Sequence, residues 1–200
     1  MTLYYETDPA DESTVPQLPP LLSAEAVETG DVQAKAVARA AAGEVGLVCY
    51  ATAGPLLDFA VTLAPEVDAA TSAQMQHALI VAVGDAIGAL APPEVVVTYQ
   101  YPGTIFFNRG IAGVITMTQG PVSTETGYPA WMVVSARLRL SGEMQGMPLE
   151  FRMENTSLEE EGAGFISRTR LLEACCRHFL VWLHKLSLIH ISEPTRPLHI

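Results

Sequence analysis

Lysine is almost missing from this chain. Lys35 and Lys185 are its only two in 200 residues, and from residue 40 to residue 108 there is neither lysine nor arginine. With a formal net charge of −11, such a chain repels phosphate backbones, which excludes a general grip on nucleic acid. Cysteine is scarce too: Cys49, Cys175 and Cys176. Three thiols without regular spacing make no disulfide framework. The vicinal pair falls in a helical pattern and reads as two small buried side chains. A reducing cytoplasm fits this usage. Long apolar runs are absent as well. The most apolar stretch, "HALIVAVGDAIGALAP", is interrupted by Asp85 and is too short to span a bilayer. The first residues, "MTLYYETDPADESTVPQLPP", have no basic n-region and no apolar h-region, so no signal peptide is read there. Residues 1–18 are expected to be a disordered acidic leader.

What is present suits one domain. Hydrophobic residues make up 49% and charged residues 16%, enough apolar surface for a substantial core. Leu21 to Val27 predicts a first strand. A helix follows through "TGDVQAKAVARAAAGE", with Asp31 as its N-cap and Gly43 as its end. "VGLVCYATAG" is a strand. In the next, Leu57, Phe59, Val61 and Leu63 alternate with Asp58 and Thr62. The clearest helix runs from Thr71 to Leu90, with a stripe of Met75, Ala78, Leu79, Ala82, Ala86, Ile87 and Leu90; His77 lies off it and reads as solvated. "PPEVVVTYQYPG" and "TIFFNRGIAGVITMTQG" are expected to be the central strands, meeting across a Pro102-Gly103 turn. "WMVVSARLRLSGE" alternates, placing Val134, Ala136, Leu138 and Leu140 inward and Arg137 and Arg139 outward. "GMPLEFRMENTSL" predicts a further strand. Ser167 caps a last helix that carries Leu171, Leu172, Cys175, Phe179, Trp182 and Leu183 toward the core. The order predicts an α+β fold, a mostly antiparallel mixed sheet with packed helices.

Few residues invite chemistry directly. Glu159, Glu160 and Glu161 are consecutive and precede Gly162, so they read as a solvated turn rather than an ion site. His178 and His184 are six apart and share no helix face, which predicts no metal site. Gly103, Gly110 and Gly113 follow no strand-to-helix junction, so no dinucleotide loop is read. The last residues change character: residues 186–196, "LSLIHISEPTR", resemble a translated sequencing adapter. The expectation is a domain over 19–185, a non-native tail over 186–200 that packs on nothing, and a natural chain that continues past Lys185. His190 and His199 then belong to no site.

Four segments in order resemble the catalytic domain of the biotin and lipoate protein ligase superfamily, over about residues 20–185. "VETGDVQAKAVARAAAGE" is similar to its opening strand and helix, with Thr29 and Gly30 on the family's Thr-Asn pair. The Thr71–Leu90 helix with "PPEVVVTYQYPG" resembles the helix and strand ending in Trp-Pro-Asn-Asp. "FFNRGIAGVI" resembles the strand Asn-Gly-x-Lys-x-x-Gly, and "NTSLEEEGAGFISRTRLLEACCRHFLVWL" the closing segment. The likeness is to a bacterial subgroup of unknown function with a small extra C-terminal domain. It implies a class II synthetase-like fold. It also implies a ligand pocket that would draw on Thr52, Gly54, Tyr101, Pro102, Gly103, Asn108, Gly110, Ala112 and Gly113.

The departures concern charge. The family's lysine position falls on Gly110, and Arg109 beside it is a poor substitute, because a guanidinium fork is not an ammonium. The family's Arg-rich loop between the second and third strands is here "ATAGPLL", with no arginine. Adenylation needs positive charge on the leaving pyrophosphate, so no catalytic residue is assigned, and a pocket of little positive potential is expected. An acyl transfer through cysteine would need a basic neighbour, and only Arg177 adjoins one. Three readings stay open. The domain binds a small acyl, biotin-like or lipoyl-like ligand, or a carrier domain, with no cofactor. Or it is an active, divergent biotin or lipoate ligase or acyltransferase using ATP and completed by a missing C-terminal part. Or it is an interaction module working through its sheet edge.

Overall fold

The computed structural model describes residues 15–141 and 147–191, with backbone alone from 187. The elements are β1 (Ser23–Val27), α1 (Val32–Ala41), β2 (Leu47–Ala51), β3 (Leu56–Leu63), α2 (Ala69–Ser72), α3 (Gln74–Leu90), β4 (Val97–Gln100), β5 (Thr104–Phe107), β6 (Gly110–Gln119), β7 (Met132–Arg139), α4 (Leu149–Glu154) and α5 (Arg168–Ile191). The strands form one sheet in the order β1-β2-β3-β7-β6-β5-β4. Only β1 and β2 run parallel, joined over α1; the other pairs are antiparallel. This is the mixed, mostly antiparallel α+β fold predicted above.

Three expectations change. The strand in "PPEVVVTYQYPG" is the sheet's edge, and β7 is its centre. "TIFFNRGIAGVITMTQG" is a hairpin rather than one strand, turning at Asn108-Arg109 with Asn108 at φ 52°. Asparagine tolerates that left-handed backbone. Its N–H donates to the Val96 carbonyl at 2.7 Å and its Oδ1 accepts from the Val96 N–H at 3.1 Å. Finally, "GMPLEFRMENTSL" forms α4 instead of a strand. Its Met-Leu-Phe-Met alternation mimics a strand, but Pro148 stands at the N-cap and Leu, Glu, Arg and Met are strong helix formers.

One face of the sheet is covered by α3 and α5. Leu57, Phe59 and Val61 of β3 and Val134, Ala136 and Leu138 of β7 meet Leu79, Val83 and Ile87 of α3 and Leu171, Cys175 and Phe179 of α5. The predicted stripe of α3 lies here, although the helix begins at Gln74, after the short Asp68-capped α2. Burying each of the Leu, Ile, Val and Phe side chains contributes roughly 1.5–3 kcal/mol.

The other face is only half covered. Val32, Ala36 and Ala40 of α1 pack on Leu47, Cys49, Ala60 and Val133. Thr62, expected on a polar face, is fully buried there and accepts a hydrogen bond from the Leu47 N–H at 3.0 Å. Asp31 caps α1 by accepting from the Ala34 N–H at 3.0 Å. Arg39 and Lys35 pair with Glu25 of β1 at 2.6 and 3.2 Å. The Arg39 hydrogen bond, the largest influence on it, holds the Glu25 carboxyl below its usual range.

The expected ends also shift. Residues 1–14 of the acidic leader lie outside the described residues. Pro16 is already buried, the Gln17 N–H donates to Glu173 at 2.7 Å, and Leu18 packs against the core. At the other end α5 runs unbroken past Lys185 to Ile191, and Leu186 rests against the core. Residues 192–200 lie outside the described residues.

Candidate ligand site

The uncovered half of the second face holds a cavity of about 510 Å³, floored by Ile111–Val114 of β6 and by Arg137 and Arg139 of β7. Pro55, Leu56, Thr104, Met147 and Phe151 also line it. Small-molecule sites span roughly 300–1,000 Å³. A β-bulge shapes the floor. Ile105 faces Gly113 while Phe106 faces Ile111, which leaves Ala112 as the extra residue. Gly113 permits the close approach of β6 to β7: a Cβ there would lie 2.2 Å from the Arg137 carbonyl oxygen.

The two arginines differ in their partners. Arg137 stands across from Asp58 and binds it through Nε at 2.9 Å and Nη2 at 2.8 Å. Burial raises the Asp58 carboxyl, and the Arg137 hydrogen bond opposes that rise. Arg139 donates Nη1 to the Ile111 carbonyl at 3.1 Å and lies 5.2 Å from the Phe151 ring centroid. Among the described residues no carboxylate lies within ion-pairing distance of it. Desolvation pushes its pKa down, and the charge of Glu160 opposes that shift. The expected scarcity of basic residues does not extend to this cavity, which two arginines line, one of them paired with Asp58. The cavity has these two arginines because the central strand β7 turns its outward residues into it.

The β2–β3 loop is held from beneath by one buried side chain. Arg168, at the start of α5, is 8% exposed. It donates to the carbonyls of Leu56 at 3.1 Å, Thr52 at 2.7 Å and Gly54. The loop thus has no arginine of its own, but an arginine from another element fixes its backbone.

Gly110, where the family's lysine is expected, is crowded. A Cβ on Gly110 would lie 2.6 Å from both Cβ and Cγ2 of Thr156. The reason is local pairing: the Thr156 N–H donates to the Ile111 carbonyl at 2.9 Å, and Asn155 bridges to Ile111. Glu161 locks this corner, accepting from Thr156 Oγ1 at 2.6 Å and from the Asn108 amide. It is therefore not the solvated turn residue expected.

The predicted residues do not converge on one place. Ala112 and Gly113 line the 510 Å³ cavity. Asn108 and Gly110 line a separate cleft of about 610 Å³ with Arg109, Arg152, Thr156 and Glu161. Thr52 and Gly54 lie in the loop bound by Arg168. Tyr101, Pro102 and Gly103 make the β4–β5 turn through a cis Tyr101–Pro102 bond and line neither cavity; Tyr101 is 85% exposed. Gln76 of α3 pins that turn, donating to the Pro102 and Ile115 carbonyls at 3.1 and 2.9 Å.

Sequence reasoning missed Arg137, Arg139, Phe151 and Arg168. The alternation in β7 does place both arginines on the face opposite the core, which was the available signal. It also missed a polar cluster beyond Val114, where Gln33 of α1 meets Thr118 at 3.0 Å and Thr116 at 3.2 Å, and Thr116 meets Ser135 at 2.7 Å.

Neither lysine reaches the cavity: Lys35 pairs with Glu25, and Lys185 lies over the Trp182 ring. All three thiols are buried. Burial raises Cys49 to about 11 and Cys176 to about 12, and raises Cys175 well above its usual value. No group of His, Cys, Asp and Glu among the described residues could hold a metal ion. Nor does any described helix have the length and apolarity to cross a membrane.

Comparison with known proteins agrees with the geometry. Among solved structures, a biotin protein ligase-like protein of unknown function from Silicibacter sp. is 33% identical, with a TM-score of 0.78 over 87% of this chain and 75% of that one. The biotin protein ligase of Aquifex aeolicus is 15% identical with a TM-score of 0.64, covering 84% of this chain and 72% of that one. The Leishmania major biotin protein ligase in complex with biotinyl-5-AMP is also 15% identical, with a TM-score of 0.54 over 91% and 87%. These two share the fold. No curated protein matches the sequence significantly. The model of the biotin/lipoate A/B protein ligase family matches residues 18–188, and the chain belongs to that family.

Proposed function

We propose that this domain binds a small acyl ligand, biotin-like, lipoyl-like or a short fatty acid, free or on a carrier domain, and does not convert it to an adenylate. The supporting observation is a contrast between the cavity and the segments around it. The sheet presents an apolar cavity of ligand size above Gly113, while both sources of charge for adenylation are replaced. Thr156 occupies the space that a side chain at Gly110 would need. The β2–β3 loop has no cationic side chain, and Arg168 is spent on its carbonyls. Buried thiols this reluctant to ionise also oppose acyl transfer through cysteine.

A catalytic reading draws on Arg139, the one cavity cation without a carboxylate partner among the described residues. An Aquifex aeolicus biotin protein ligase of the same fold has been solved with biotin and ATP. Calorimetric titration with biotin, lipoate and octanoate, each with and without Mg-ATP, separates the readings. Binding of one acid, unaffected by ATP and without heat of turnover, is expected. Micromolar ATP binding, or binding of no acid, would overturn the proposal.

A further inference from the structure

We propose that Arg168 is a positioning residue for the cavity: from the opposite side of the sheet it sets the β2–β3 loop in its binding shape before any ligand arrives. The inference rests on the acyl-binding reading and adds to it a residue that touches no ligand. The loop has little of its own to hold one shape. Ala53, Gly54 and Pro55 carry no hydrogen-bonding side chain, and Gly54 sits at φ 101°, a region that glycine enters and leaves at little cost. Yet the carbonyls of Thr52, Gly54, Pro55 and Leu56 are all engaged. Arg168 donates Nη1, Nη2 and Nε to the first, second and fourth, and the Leu140 N–H donates to the Pro55 carbonyl at 2.9 Å.

The anchor is rigid where the loop is not. Arg168 opens α5 directly after Ser167, whose carbonyl accepts from the Leu171 N–H at 3.0 Å, and the same turn buries Leu171 and Leu172 in the core. Rigidity passes from that core through one guanidinium to Pro55 and Leu56, which line the cavity. Three nitrogens in one plane fix three carbonyls relative to one another, which an ammonium cannot do. Among the described residues the hydrogen bonds of Arg168 go to these carbonyls alone. Breaking them would strand a buried charge, so the arrangement persists without ligand. A loop already ordered adds no ordering cost on binding, whereas a ligand that must select one loop shape loses affinity in proportion to that shape's population.

The test measures backbone amide relaxation at Ala53 and Gly54 by nuclear magnetic resonance, and octanoate affinity by calorimetry, in wild type, Arg168→Met, Arg168→Lys and Leu172→Ala. In ligand-free wild type both amides should have rigid order parameters, about 0.85, that octanoate leaves unchanged. In Arg168→Met they should fall below about 0.6 and rise when octanoate binds. Binding should then be about tenfold weaker, as for a loop that holds the binding shape roughly a tenth of the time. Arg168→Lys should lie between. Leu172→Ala removes core from the same helix; it should lower the denaturation midpoint while loop order and affinity stay at wild-type values. A loop disordered in ligand-free wild type, or equally ordered in Arg168→Met, would overturn the inference while leaving acyl binding intact. So would an equal loss of loop order in Leu172→Ala. If octanoate, biotin and lipoate all fail to bind, the acyl-binding reading fails, and the order parameters of the ligand-free chains still decide whether Arg168 sets the loop. Should Arg168→Met not fold, wild type and Arg168→Lys decide.

Discussion

The two faces of the sheet are written by the same strands and do different work. On one face β3 and β7 meet α3 and α5 across a buried core of Leu57, Phe59, Ala136 and Leu138. On the other, the same two strands present Asp58, Arg137 and Arg139, and α1 covers only the end near Val133. Because strand side chains alternate, β7 can build a core and a cavity floor within eight residues. Stability should therefore reside mainly on the first face and recognition on the second. That division is measurable.

The largest effect is expected where the faces differ most. Leu138→Ala, on the closed face, should cost about 2–5 kcal/mol in denaturant unfolding. Val114→Ala, on the open face and 41% exposed, should cost less than about 1 kcal/mol. Similar losses at both sites would erase the contrast. Arg168→Met comes next. It leaves the carbonyls of Thr52, Gly54 and Leu56 without their shared donor and should cost roughly 2–4 kcal/mol. Faster amide exchange confined to the β2–β3 connection should accompany it; a uniform change would argue against a local latch.

Gly110→Lys should destabilise by about 1–3 kcal/mol through collision with Thr156, and adding Thr156→Gly should recover most of that loss. The strain is steric rather than a matter of backbone conformation, since Gly110 is not among the residues at positive φ. Neither variant should transfer biotin or lipoate to an acceptor domain in a single turnover. The smallest effect concerns the thiols. Their folded pKa values are raised above the ordinary value of 9.0. The stability they contribute is fully present below about pH 9. It is lost as pH rises from there toward 11 or 12, because the unfolded chain ionises first. Native protein at pH 7 should react with a thiol reagent only as fast as it opens; an immediate stoichiometric reaction would contradict the burial.

Much of this fold was legible because its signals are local. The stripe of α3, the Asp31 cap and the alternation of β3 and β7 each state their own structure. What escaped depends on pairing between distant segments. The position of β7 at the centre is set by contacts with β3 and β6 that no local pattern announces, and it brings Arg137 and Arg139 into the cavity. The α4 segment alternates like a strand but obeys its proline cap and helix propensities. Arg168 looked like an ordinary first-turn residue; only the fold brings it under a loop more than a hundred positions earlier. The nine pocket residues were chosen along the chain, and the hairpin turn at Asn108 sends neighbouring positions to different cavities.

The central claim, a ligand site retained without adenylation, is tested most directly by ATP–pyrophosphate exchange on the wild-type chain, saturated with whichever acid binds by calorimetry. The account predicts exchange no faster than in the control without acid. Acid-dependent exchange above that control would show that Arg139 or another cation supplies the missing charge, and that the domain is an active ligase.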